Sequence, residues 1–135
     1  MKPGQNSNQS ATPYSIVTES EKLWIDEHGL LQSNVFSVHI TRTHALAAIE
    51  AMKQLTKGEK APILVDMRDA LSTTNEARKC YGNEGYAVIS ACAMLIDSPL
   101  SKILSNFYLG INKPRYPFRV FTNKQKAIEW LKQYL

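Results

Sequence analysis

Asp66, Arg68 and Asp69 crowd directly behind the apolar run Ile63-Leu64-Val65. Carboxylates so placed can take Mg²⁺, and a guanidinium can clamp an anion through paired N–H donors. The same groups can instead close an ion pair or a cap among themselves. Next come Ser72, Thr73 and Thr74, ahead of Glu76. A hydroxyl at a helix start caps it by accepting an orphan N–H. Phosphorylated, such a group gains about −1.5 to −2 charge, which the positive end of the helix dipole stabilises. His28, His39 and His44 have no metal-ligand or triad-like spacing, and no nucleophile is paired with a base along the chain. Cys80 and Cys92 have no metal-site spacing and read as packing residues. No phosphate-binding or nucleophile-elbow motif occurs. A non-enzymatic role without cofactor or metal is therefore the expectation.

Charge is uneven. The net +4 is concentrated late, where Lys102, Lys113, Arg115, Arg119, Lys124, Lys126 and Lys132 face only Glu129. Residues 14–37 set Lys22 against Glu19, Glu21, Asp26 and Glu27. Arg68, Arg78, Lys113, Arg115 and Tyr116 form a candidate surface for an anion or an acidic partner. Nucleic acid is not expected, because no recognition helix or arginine-rich block is present. Tyr108 and Trp130 fall off the apolar stripes and are candidates for an apolar ligand pocket or dimer patch. A homodimer is expected on the same ground.

The elements that must position these groups follow from periodicity. Leu23 to Asp26 and Leu30 to Phe36 flank Glu27-His28-Gly29, a hairpin signal, with the first strand beginning as early as Tyr14. Thr43 caps a helix running to about Lys57, with Leu46, Ile49, Met52 and Leu55 inward, and Gly58 stops it. The run ending in Asp66 suits a strand buried on both faces. Asp69 to Thr74 is a loop, and Thr73 with Glu76 matches a capping box for the next helix. That helix breaks near Gly82-Asn83 and resumes to Ala87. Ala91 to Ile96 is another buried strand. A helix from Ser98 to Gly110 follows, with Pro99 at its first position. Phe118 to Phe121 is the last strand, and Thr122 with Gln125 caps a final helix. The order ββαβαβαβα demands a mixed, mostly parallel five-stranded sheet with a leading β-hairpin.

The chain has 135 residues, 44% hydrophobic and 21% charged, which is enough for one domain with its own core. Residues 1–13, polar and rich in Asn, Gln and Ser, read as a disordered tail, and 14–135 as the domain. No apolar run is long enough for a transmembrane span or a signal peptide, so the cytoplasm is expected.

The leading hairpin, the βα units and several segments together resemble the SpoIIAA-like (STAS) fold, and more closely small bacterial STAS/SEC14-type proteins of uncharacterised function. The segments are Pro62 to Arg68, Glu76-Ala77-Arg78, Asp97-Ser98-Pro99, Asn106 to Pro114, Pro117, Phe121-Thr122 and Ala127 to Leu131. This resemblance covers residues 14–135 and implies a SpoIIAA-like α/β fold. It implies a regulatory or interaction module like the anti-sigma-factor-antagonist STAS domains, met by a partner kinase or regulator. In those proteins the loop after the third strand carries a phosphorylated serine or threonine; here that loop holds Asp69, Ser72, Thr73 and Thr74. Ser72 departs from the family pattern, having no Asp directly before it and no Gly after it, so the hydroxyls can also serve as caps alone. The SEC14 side of the resemblance implies, alternatively, a small-molecule or lipid-binding module.

Overall fold

The computed structural model describes residues 14–98 and 114–135. Alternation of inward Leu23 and Ile25 with outward Lys22 and Trp24 makes Glu21–Ile25 a strand, β2. It pairs antiparallel with β3, Leu31–Val35. Gly29 turns the hairpin at φ +89°, where a side chain would strain, and Asp26 Oδ1 accepts the N–H groups of His28 and Leu30. Ahead of β2 lies a separate strand, β1, Ser15–Val17, also antiparallel to it. The turn between them is held by Thr18 Oγ1, which accepts from Glu21 N at 3.1 Å.

The buried runs form β5, Ala61–Asp66, and β7, Ile89–Leu95; Phe118–Phe121 forms β8. β3, β5, β7 and β8 are mutually parallel, and the main sheet runs β1-β2-β3-β5-β7-β8. It has six strands where the sequence reading expects five, because the first strand of the expected hairpin is split in two. Segment 69–74 is also more than a loop. Ser72–Thr73, β6, pairs parallel with β4, His39–Ile40, in a second small sheet.

Three helices are described. Their starts fall one or two residues from the expected caps. Arg42–Thr56, α1, is capped by Thr41 rather than Thr43, in a capping box with His44. Asn75–Asn83, α2, is capped by Thr74 rather than Thr73, and passes into a 3-10 turn at Glu84–Ala87. Lys124–Lys132, α3, is capped by Asn123 rather than Thr122. In each case the residue whose backbone is extended at the junction takes the cap, since only there can its oxygen reach the N–H of the third helical residue. Beyond Ser98, the helix expected to run to Gly110 lies outside the described residues, as does the tail 1–13.

The sheet buries both faces. Ala45, Ala48, Ile49 and Met52 of α1 with Ala77 and Cys80 of α2 pack on Leu23, Leu31, Ile63, Cys92 and Met94. Leu46, expected inward, is 43% exposed, because the buried stripe of α1 runs through its alanines. On the other face Ala127 and Leu131 of α3 cover Leu64, Ala91, Ala93 and Leu95. Cys80 and Cys92 are both buried free thiols, and burial pushes Cys92 up to about 12. No described helix is long and apolar enough to cross a membrane.

Candidate functional site

Parallel strands deliver their C-terminal ends to one rim, and there a polar cleft of about 490 Å³ opens. Asn34 comes from β3, Asp66 from the end of β5, Asp97 from beyond β7, and Lys124 from the first position of α3; Arg68 and Asp69 complete the wall. Trp24 and Leu64 floor it. Arg68 closes on Asp66 as a fork: Nε donates to Oδ1 at 2.9 Å and Nη2 to Oδ2 at 2.7 Å. Burial would raise the Asp66 carboxyl, but the side-chain and backbone N–H bonds from Arg68 outweigh it and hold the group below its ordinary value. Lys124 acts in the same direction. The sequence reading left the chemistry of Asp66 and Arg68 open between Mg²⁺, an anion clamp and a mutual ion pair; in the structure they pair with each other. No trio of His, Cys, Asp or Glu among the described residues is arranged to hold a metal ion.

Past this cleft the chain crosses to the small sheet and reaches Ser72. Ser72 is exposed, and its Oγ lies 2.7 Å from His39 Nδ1, thirty-three residues away in sequence. Thr73 is half-buried, and its carbonyl accepts from Arg78 Nη1 at 2.7 Å. Thr74 Oγ1 is engaged as the α2 cap, accepting from Ala77 N at 3.1 Å. The three adjacent hydroxyls therefore have three different environments. The Ser72–His39 contact brings a nucleophile type to a base type, which linear spacing could not reveal. Among the described residues no carboxylate forms an ion pair with His39. Both residues of the pair are exposed.

A family model described as a domain of unknown function, DUF7793, matches residues 23–135. The chain belongs to the DUF7793 family. The DUF7793 chain is similar in fold to the crystal structure of an uncharacterised protein of the DUF3478 family, with a SpoIIAA-like fold, from Shewanella loihica PV-4. The TM-score is 0.58 at 12% identity, covering 95% of this chain and 99% of that one. A second solved structure, a protein of unknown function from Arthrobacter sp. FB24, is 29% identical over 86% of this chain and 95% of that one, with a TM-score of 0.33. No curated protein matches the chain. The SpoIIAA-like, mostly parallel α/β fold expected from the sequence is thus the fold observed.

The other expected surface residues of the DUF7793 chain divide. Arg78 reaches back to Thr73 and sits 3.4 Å from Asn75 Oδ1, stapling β6 to the first turn of α2. Arg115 lies over the Tyr86 ring at 4.5 Å, with Lys60 Nζ at 3.4 Å from the same ring. Tyr116 does not belong to a surface. It is 8% exposed in the core, and its hydroxyl donates to the Tyr81 carbonyl at 2.8 Å. Trp130 is half-buried and packs within the chain against Phe121 and Tyr134, with centroids 5.8 and 5.1 Å away. Lys113 and Tyr108 lie outside the described residues.

Sequence reasoning missed Glu21. Entered only in the charge balance of residues 14–37, it is 1% exposed and accepts from Ser33 Oγ at 2.5 Å, Ser20 Oγ at 3.0 Å and Tyr81 Oη at 3.1 Å. Burial raises its carboxyl, and the three hydroxyls offset part of that rise. The signal was available, since Glu21 shares the inward face of β2 with Leu23. It borders a largely apolar cavity of about 50 Å³ between the sheet and the helices.

Proposed function

We propose that this DUF7793 protein is a non-enzymatic regulatory module that works through the surface from Ser72 to Arg78, switched by phosphorylation of Ser72. The observation that carries the reading is the sorting of the hydroxyls. Thr74 is spent on the cap and Thr73 is half-buried, whereas Ser72 stands exposed in β6, three residues ahead of α2. Phosphoryl transfer from ATP to Ser72 Oγ releases ADP and a proton, with His39 beside the hydroxyl. The product dianion is met by the His39 ring and by the positive end of α2. A partner that docks on the neutral surface then meets a charge there. The SpoIIAA-like fold supports the comparison with STAS regulators at the level of architecture only.

The lipid-binding alternative needs a larger apolar cavity than the one that Glu21 borders among the described residues. A cavity of about 50 Å³ is far below the roughly 300–1,000 Å³ of drug-sized ligand pockets. Incubating the protein with cell extract and ATP, followed by phosphopeptide mapping, tests the switch. A phosphate on Ser72 is expected; phosphate found only elsewhere, or none, overturns it.

A further inference from the structure

The rim cleft has the makings of a second site, independent of Ser72. Its volume, about 490 Å³, falls within the range of small-ligand pockets. Its charges are mixed. Asp66 is satisfied by the Arg68 fork. Asp69, Asp97 and Lys124 take part in no ion pair among the described residues. Arg68 retains the outer edge of its guanidinium, since a fork of two bonds leaves three of its five N–H groups. The cleft thus offers two open carboxylates and two cationic donors side by side.

That arrangement discriminates by charge type. A purely anionic ligand meets Asp69 and Asp97, and a purely cationic one meets Lys124 and Arg68. A ligand with both signs a few ångströms apart satisfies both. In the sheet order β7, which Asp97 follows, lies between β5, which Arg68 follows, and β8, which Lys124 follows. The floor adds selectivity, because Trp24 presents an aromatic body beside the polar wall.

We propose that the cleft binds a small zwitterion, a free α-amino acid. Its ammonium is held at Asp97 and its carboxylate at Lys124, which follow the adjacent strands β7 and β8, with its side chain toward Trp24. The test is thermal denaturation and calorimetric titration of the full chain with each of the standard amino acids at millimolar concentration. For any amino acid that binds, its decarboxylated amine, its deaminated acid and inorganic phosphate are run beside it. A dose-dependent rise in Tm with at least one amino acid is expected, absent with the amine, the acid and phosphate. Asp97→Asn and Lys124→Ala, both at exposed positions, should each weaken binding by about tenfold or more while the ligand-free Tm stays put. No response to any amino acid, equal binding of the amine, the acid or phosphate, or unchanged binding in both variants overturns the proposal.

Discussion

Tyr81 on α2 donates its hydroxyl to Glu21 on β2 at 3.1 Å, joining a helix to the sheet across sixty residues of sequence. The acceptor is a carboxylate in the core, so the link depends on its proton.

The folded-state carboxyl of Glu21 is raised above the ordinary value of 4.5, chiefly by burial. A raised acid binds its proton more tightly when folded, so the stability it contributes is fully present below about 4.5 and is lost as pH rises through the folded value. Glu21→Gln should remove that component. In urea titrations the wild-type protein should lose stability relative to the variant as pH rises from 4.5. Equal slopes in the two proteins would contradict the assignment. Tyr81→Phe should cost about 1–3 kcal/mol, because it removes a donor from a buried acceptor.

Thr74→Ala should cost about 1 kcal/mol and lower Tm by a few degrees, since Thr74 caps α2. Thr73→Ala should cost less. Calorimetry of the two variants tells whether the cap lies where the structure puts it or one residue earlier.

Why the caps shifted is physical. Hydroxyls or amides stand one or two residues apart at each helix start: Thr41 with Thr43, Thr73 with Thr74, Thr122 with Asn123. Composition alone does not say which will have extended backbone. The buried strands were legible, because Ile63-Leu64-Val65 and Ala91 to Leu95 are apolar on both faces. The break between β1 and β2 was not, because Thr18-Glu19-Ser20 turns by a side-chain bond and holds neither Gly nor Pro. Arg68 and Ser72 could be marked on the chain, but the cleft could not. It is assembled from four strand ends that only the sheet order brings together.

Arg68→Ala should raise the Asp66 carboxyl, because burial then acts without the fork that opposes it. The sign for stability follows. A depressed carboxyl contributes stability above its unfolded value and loses it as pH falls through the folded value, and the variant should lose less. Global stability near neutral pH should change by no more than about 1 kcal/mol, as for other exposed pairs. Carbon-detected NMR titration of the Asp66 carboxyl checks the shift directly; an unmoved titration would show that the fork does not set it.

The central claim is that Ser72, alone of the three hydroxyls, is the switch. Intact-mass spectrometry over time, with cell extract and ATP, should be run on the wild-type protein beside Ser72→Ala, Thr73→Val and Thr74→Val. The account predicts one phosphate on the wild-type, Thr73→Val and Thr74→Val proteins, and none on Ser72→Ala. A Ser72→Ala protein labelled as fast as wild type, or a wild-type protein that stays unmodified, would contradict it.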